Sequence, residues 1–90
     1  MLIPVYKNKF AKDVKRLKKR GKDLIKLKHV ADELINGNVL DKKYLNHMLK
    51  GEYTDCHECH LEPDWLLIYK IENLHIIFLR SGSHSDLFSR

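Results

Sequence analysis

Apolar residues in the first 37 positions form one alternating stretch, followed by two stretches with helical spacing. The alternation over residues 2–6 predicts a short strand. A first helix, which Asn8 can cap, is predicted to end at Gly21, and a second helix to end at Gly37. Each helix has one apolar stripe, so together they predict a hairpin that is apolar on one side and basic on the other. The apolar positions are Phe10, Val14 and Leu17 in the first helix, and Leu24, Leu27, Ala31, Leu34 and Ile35 in the second.

The pattern changes to that of strands at Gly51. A polar segment, residues 53–61, leads to a turn at residues 62–64, and a nearly continuous apolar run, residues 65–71, follows. Glu72 and Asn73 fit a two-residue hairpin turn into a last strand, residues 74–80, while residues 38–48 are interpreted as a loop. The order predicts one α+β domain over residues 1–90 (β-α-α-β-β-β), with the helical hairpin packed on one face of an antiparallel sheet.

Positive charge is concentrated in the predicted helices. Residues 7–28 hold eleven Lys and Arg and two acidic residues, a balance of +9, whereas the rest of the chain has a balance of −4. This concentration predicts contact with a polyanion, nucleic acid above all, through lysines such as Lys15 and Lys19. A solvated helix face is the simpler alternative. Because we find no targeting segment and no apolar run near the ~20 residues of a membrane span, we expect a cytoplasmic protein with reduced cysteines and no membrane partner.

The predicted turns bring polar residues from distant positions to one edge of the sheet. With the hairpin turn at Glu72 and Asn73, Trp65 lies opposite Arg80, and the preceding turn places His60 beside the same strand. The segment that follows Arg80 leaves the sheet at this end. We therefore expect a cluster of His60, Asp64, Trp65, Arg80 and His84.

Two histidines, a carboxylate and an arginine suit RNA cleavage without a metal. One imidazole can take the proton of the ribose 2′-hydroxyl and another can protonate the departing 5′-oxygen, each role being worth roughly 10²–10⁴ in rate. The cation can stabilise charge on the phosphorane. Asp64 could orient an imidazole, and Trp65 and Phe88 offer flat surfaces for a base. Taken singly, the histidines could instead be surface or core residues, Trp65 a core residue, and Phe88 an anchor for the tail.

Cys56, Cys59 and His60 match C-x-x-C-H, the signature for attachment of c-type haem. That attachment takes place on the oxidising side of a membrane, which does not fit a cytoplasmic protein. A zinc site through the two cysteines and histidines is the other alternative. On a strand, however, residues three apart point to opposite faces, so the thiols could not close around one ion without a bend. We therefore predict neither a metal site nor a cofactor.

The C-terminal half contains three short motifs. They are His47-Met48-Leu49-Lys50-Gly51, then His57-Glu58-Cys59-His60-Leu61-Glu62-Pro63-Asp64-Trp65, and finally Arg80-Ser81-Gly82-Ser83-His84-Ser85-Asp86-Leu87-Phe88. They follow an H-x-L-x-G segment, an acidic-x-H-x-x-P-D turn and an R-x-G-(S/T)-H-x-x-L-F tail. In these motifs the chain resembles the YafQ branch of the RelE-like toxins. The likeness extends from the first strand to the C-terminus, and the second and third motifs are specific.

This resemblance implies a RelE-like fold and endonucleolytic cleavage of messenger RNA on the translating ribosome, with contacts to ribosomal RNA. It also implies a RelB- or DinJ-like antitoxin that neutralises the toxin. Operator DNA would be contacted only through the complex with that antitoxin. No cofactor is implied.

The motifs also imply a set of site residues. We predict that His84 is the general acid, that His60, oriented by Asp64, is the general base, and that His47 positions the phosphate or shares the proton work. His57 stands where many relatives have Arg, which removes a constant positive charge near the site. The catalytic set would be His47, His60, Asp64, His84 and Phe88, supported by Trp65, Arg80 and Glu58, with Lys50, Lys15 and Lys19 on the RNA.

Two other classes of function fit a small basic protein. A ParE-like toxin would inhibit gyrase by binding it and would need no catalytic residues, but the histidine-rich C-terminal half argues against it. A non-catalytic RNA-binding module would depend on the basic hairpin, so charge reversal at Lys15 and Lys19 would abolish its activity while histidine substitutions would change little.

Overall fold

The structure, a computed structural model, describes residues 1–88, and at Glu52 the backbone only. Two 3-10 turns, Lys42–Tyr44 and Gly51–Tyr53, flank the second strand. The strands and helices are β1 (Ile3–Tyr6), α1 (Asn8–Lys19), α2 (Leu24–Ile35), β2 (His47–Met48), β3 (His57–Glu62), β4 (Trp65–Glu72), β5 (His75–Gly82) and α3 (His84–Phe88).

The strands form one sheet in the order β1-β5-β4-β3-β2. The α+β class and the predicted order of elements are confirmed, and two short elements are added, β2 and α3. Three pairs are antiparallel as predicted, but β1 runs parallel to β5, so the sheet is mixed. Parallel neighbours need a long crossover connection, and the whole segment from α1 to β4 supplies it.

Strand β1 forms one edge of the sheet. The N–H groups of Ile3 and Lys7 donate to the carbonyl oxygens of Leu74 (2.8 Å) and Phe78 (3.1 Å) on the β5 side. Pro4, one residue out of phase with Ile3, therefore turns its nitrogen to the open edge, where a missing N–H costs no ladder hydrogen bond.

Strand β4 is apolar along most of its length because both of its faces are covered. Trp65, Leu67 and Tyr69 pack with the apolar stripes of α1 and α2 on one face. Leu66 and Ile68 pack on the other face, where Leu87 of α3 joins them. This arrangement confirms the prediction that the apolar run is a strand buried on two sides, and it divides the molecule into a helix-covered face and a second face that α3 covers only in part.

The two long helices follow the predicted periodicity. Gly21 and Gly37 follow them with positive φ angles, 81° and 76°, as the predicted stops require. The predicted cap at Asn8 is wrong: Lys7 is the N-cap residue and its side chain makes no capping hydrogen bond. Asp23 caps α2 by accepting from the N–H of Ile25 at 3.0 Å.

The predicted register of the last hairpin is also wrong. Glu72 pairs with His75, so the turn consists of Asn73, with φ 54°, and Leu74. An irregularity next to Ile68 shifts the ladder further, and β5 continues to Gly82. As a result Arg80 lies opposite Ile68 instead of Trp65. A bulge adds a residue to one strand, and nothing in the apolar pattern announces it.

The two cysteines are free thiols in different parts of the core. Cys59 packs on the helix-covered face, and Cys56 packs with Leu66 and Leu87 on the other. Burial raises the pKa of the Cys59 thiol to about 12. The two thiols therefore lie in separate clusters of the core. Within residues 1–88, no helix has the length and apolar character needed to cross a membrane.

Candidate active site

Three imidazoles form a row on the face of the sheet opposite α1 and α2. His47 comes from β2, His60 from β3 and His84 from α3. The ring centroids of His47 and His60 are 6.0 Å apart, and those of His60 and His84 are also 6.0 Å apart. The structure thus brings together the histidines that the motifs singled out, although they come from three separate elements.

A buried carboxylate lies beneath two of these rings. Glu58 is 6% exposed, and its Oε2 lies 3.1 Å from Nε2 of His60 and 3.3 Å from Nε2 of His47. His47 also directs its Nδ1 at the carbonyl oxygen of Leu45, at 2.7 Å. Leu45 itself has a positive φ of 49°, a conformation uncommon for a branched side chain, and it places the carbonyl that fixes His47.

Asp64 holds the third histidine. Its Oδ1 accepts from the backbone N–H of His84 at 2.9 Å and lies 2.6 Å from Nδ1 of the same residue. These two hydrogen bonds hold the pKa of the Asp64 carboxyl below its ordinary value. The predicted pairing of Asp64 with His60 is wrong: Asp64 orients His84, and Glu58 takes the corresponding place for His60. With Nδ1 engaged, Nε2 is the nitrogen of His84 available for proton transfer.

Trp65 and Arg80 do not have the predicted contacts with a substrate. Trp65 is completely buried, and its Nε1 donates to Oγ of Ser81 at 3.0 Å, so base stacking on it is excluded. Arg80 donates to Asp13 at 2.7 and 3.1 Å, and this ion pair raises the pKa of the guanidinium. Both residues therefore support the framework, Trp65 within the core and Arg80 by joining β5 to α1.

Phe88 and the three predicted RNA-binding lysines remain accessible. Phe88 is 36% exposed and contacts the ring of Tyr53 edge to face, with centroids 5.8 Å apart. Lys50 is exposed at the start of the second 3-10 turn, and Lys15 and Lys19 are exposed on α1.

Helix α3 is fixed by residues that the sequence interpretation missed. Asp86 accepts from the N–H of Ser83 at 3.0 Å, while Oγ of Ser83 accepts from the N–H of Asp86 at 3.1 Å. Arg20 of α1 donates to both oxygens of Asp86, at 2.6 and 3.0 Å. The spacing S-x-x-D from Ser83 was a recognisable capping signal. Gly82 completes the arrangement, since a Cβ there would lie 2.8 Å from Oδ2 of Asp86.

His57 lies apart from the row of imidazoles. Its ring stacks on Tyr69 at 5.3 Å on the helix-covered side, and its buried Nδ1 has no hydrogen-bond partner among the described residues. The side chain at position 57 therefore lies on the helix-covered face of the sheet, away from the row of imidazoles.

Three side chains of the cleft could also hold a metal ion. One potential ligand atom from each of His47, Glu58 and His60 lies within 4.8 Å of the others. Two imidazoles and a carboxylate suit a transition metal such as copper or zinc. The cysteines, which lie in separate clusters, contribute nothing to such a site.

The family model described as "Bacterial toxin of type II toxin-antitoxin system, YafQ" matches residues 3–89. The chain belongs to the YafQ family of toxins. The resemblance carried by the three motifs is thereby confirmed.

Several known toxins are similar to this chain in sequence and structure. The Escherichia coli K12 protein named mRNA interferase toxin YafQ is 42% identical over 84 residues, which cover 92% of this chain and 91% of that protein. A structure of the E. coli DinJ-YafQ complex contains a chain that is 39% identical, with a TM-score of 0.91 and coverage of 98% of this chain and 99% of that chain. A metal-bound toxin from Helicobacter pylori is 44% identical, with a TM-score of 0.91 and coverage of 98% and 100%. The arrangement of two helices against the sheet is thus that of YafQ structures, and the predicted RelE-like fold is confirmed.

Proposed function

We propose that this protein is an endoribonuclease toxin that cleaves messenger RNA by general acid–base catalysis, with the ribose 2′-hydroxyl as nucleophile and without a metal. The observation that carries the proposal is the row of His47, His60 and His84, in which each imidazole has a carboxylate oxygen within 3.3 Å. The name of the E. coli relative, an mRNA interferase, supports the choice of substrate.

The proton transfers follow from which ring nitrogens are engaged. His60 directs Nε2 at Glu58, so its Nδ1 can accept the proton of the 2′-hydroxyl. The oxygen then attacks the phosphorus, and the bond to the 5′-oxygen breaks to leave a 2′,3′-cyclic phosphate. Protonated His84, whose Nδ1 is directed at Asp64, donates its Nε2 proton to the departing 5′-oxygen.

The remaining residues of the site stabilise charge and position the nucleotide. His47 lies beside His60 in the row, where its protonated form would stabilise the negative phosphorane. Phe88 offers an accessible ring for a base beside the scissile bond. Arg80, which is paired with Asp13, acts by holding β5 against α1.

The partners follow from the charge distribution and from the relatives. The exposed lysines of α1 suit ribosomal RNA, whose phosphates would lie along the helix while message is cut on the translating ribosome. The DinJ-YafQ complex supports an antitoxin of the DinJ type, with operator DNA bound only through that complex. We infer that the toxin acts in the cytoplasm, where message and ribosomes are found.

A metal is not needed for this chemistry, and one bound in the cleft would oppose it. The H. pylori toxin was obtained in a metal-bound form. A transition metal held by His47, Glu58 and His60 would take the imidazole of His60 away from Glu58 and lower the basicity of the proposed base. We therefore propose that such a metal inhibits this toxin.

The test compares message ends after induction of the wild type, His84→Ala and His29→Ala. His29 is exposed on α2, away from the cleft, so its substitution controls for the loss of an imidazole. The wild type and His29→Ala should cut message and arrest growth, whereas His84→Ala should stay folded and lose cleavage by about 10²-fold or more. Full cleavage by His84→Ala would contradict the mechanism, and poisoned gyrase with intact message would favour the ParE-like alternative.

A further inference from the structure

A second cavity adjoins the cleft at His60. It has a volume of about 660 Å³, within the range of small-molecule sites. Its apolar walls are Leu45, Leu61 and Pro63, and the ring of Tyr44 forms part of its surface. His60, the middle imidazole of the row, therefore borders both the cleft and the cavity.

The sheet leaves this side of β3 open. Strand β2 pairs only with His57 and Glu58, so the outer edge of β3 from Cys59 to Glu62 has no strand partner within residues 1–88. Backbone donors and acceptors along such an edge can hydrogen-bond a ligand. The cavity thus combines apolar walls with polar groups at one border, as the flat faces and polar edges of a nucleobase require.

The rim of the cavity carries a surplus of positive charge. Lys26 and Lys22 share one carboxylate, that of Glu62, with each ammonium 2.9 Å from one of its oxygens. Lys43 places its ammonium 5.2 Å from the centre of the Tyr44 ring. The lining itself holds two lysines, Lys26 and Lys43, and one acidic residue, Glu62, and this balance suits a ligand that brings its own negative charge.

We propose that this cavity is a nucleotide subsite, which takes the base next to the scissile phosphate while Lys26 and Lys43 contact the adjoining phosphate. The inference rests on the proposed function, because it supposes that RNA lies across His60. A polynucleotide with its scissile phosphate at the imidazoles places a neighbouring nucleotide beside His60, and the cavity is the enclosed space on that side. Leu45 links the two sites, since its side chain lines the cavity and its carbonyl oxygen fixes His47.

The test measures cleavage of a defined message on translating ribosomes by Lys26→Ala and Lys28→Ala. Both lysines lie on α2 and pair with a carboxylate, at 2.9 and 2.8 Å, but only Lys26 lines the cavity. Lys28→Ala therefore reports what the loss of one charge from this helix does by itself. We expect Lys26→Ala to raise KM about tenfold more than Lys28→Ala does, with kcat little changed. Equal KM values for the two variants would overturn the proposal.

A second pair of variants separates the contribution of the aromatic ring of Tyr44 from that of its hydroxyl group. Tyr44→Leu should keep the apolar wall but weaken stacking, and so raise KM and relax the preference for the base beside the cut. Tyr44→Phe should recover most of that loss. An unchanged base preference in Tyr44→Leu would again overturn the subsite.

A binding measurement separates this proposal from the proposed function. Adenosine, guanosine, cytidine and uridine monophosphates are titrated into ¹⁵N-labelled His84→Ala, which should not cleave RNA. Amide shifts at Leu45 and Leu61 with at least one nucleotide support the subsite, and their absence with all four argues against it. Failure of the wild type to cut message would instead count against the catalytic assignment, whatever the nucleotides do.

Discussion

Each imidazole in the cleft is joined to a carboxylate, and this pairing determines what a single substitution should do. Glu58 serves both His47 and His60, so one residue influences the proposed base and the proposed phosphorane contact. Glu58 therefore has a larger part than the assisting one that its place in the motif suggested.

Glu58→Gln should lower cleavage about 10²-fold, because the amide keeps the shape of the side chain but removes the negative charge beside the imidazoles of His60 and His47. Cleavage of message by purified toxin on ribosomes, with far-ultraviolet circular dichroism to check folding, measures this. Glu72→Gln is the matched control, since Glu72 lies at the far end of the β4–β5 hairpin. Wild-type rates in Glu58→Gln would remove the carboxylate from the mechanism.

Removal and addition of metal ions give a second test of His47, Glu58 and His60. Treatment with EDTA should leave cleavage unchanged, because the proposed proton transfers need only imidazoles. Added Cu²⁺ should inhibit cleavage and should bind less tightly to Glu58→Gln, which lacks one charged ligand. Loss of cleavage on chelation, with recovery on return of the metal, would make the mechanism metal-dependent instead.

The sequence could predict which residues meet, but not how they pair. The motifs and turns brought His60 and His84 to one place, and the structure agrees. A shift of one residue next to Ile68 was invisible in the pattern, yet it determines which face each side chain takes. For this reason Asp64 was assigned to the wrong histidine and Trp65 to the surface.

At the scale of elements, α3 decides whether His84 and Phe88 are in place. The helix has five residues, too few to be stable alone, so its position depends on the contacts of Asp86 with Ser83 and Arg20. Its brevity also explains why periodicity did not predict it. The same holds for β2, which has two residues and brings His47 to the row, whereas α1 and α2 are long enough for their apolar stripes to be recognised.

Asp86→Asn should loosen α3, lowering the melting temperature by about 4 °C and cleavage by about tenfold. The hydrogen bond from Arg20, with those from Ser83, holds the pKa of the Asp86 carboxyl well below its usual range. A depressed pKa contributes stability that is complete above the unfolded value of 3.8 and is lost as the pH falls through the folded value. The melting temperature of the wild type should therefore drop below about pH 4 more steeply than that of Asp86→Asn.

The control for this prediction is Asp32→Asn. Asp32 is paired with Lys28 at 2.8 Å on α2 and has no contact with α3, so its substitution should change stability slightly and cleavage not at all. If Asp86→Asn cleaves message as the wild type does, then Arg20 and Asp86 do not position the helix.

At the scale of the whole molecule, the basic surface of α1 and the cleft with the three imidazoles are separate but adjoining. The basic helix α1 meets α3 through Arg20, so the surface proposed to bind ribosomal RNA continues to the cleft. The sequence alone located this charge, because it depends on composition and helix length and not on register.

Charge reversal at Lys15 and Lys19 should weaken ribosome binding and reduce its dependence on salt. Binding weakens with salt, and each lost phosphate contact makes the plot of log K against log salt concentration less steep by about 0.9. The plot for the double variant should therefore be less steep by about 2. His84→Ala should bind as the wild type does. Binding measured between 50 and 200 mM salt tests this, and an unchanged slope would place the RNA contacts elsewhere.

The openness of the cleft has a consequence for when the toxin is active. The side chains of His84 and Asp64 are 52% and 67% exposed, so bulk water surrounds the proposed acid in the free protein. Water weakens charge interactions there and lets RNA adopt many unproductive poses. We expect RNA that is free in solution to be cut slowly. The full rate should be reached only when the ribosome holds the strand over the histidines and shields them from solvent. Free toxin would then leave most cellular transcripts intact and would cut mainly the messages that are being translated.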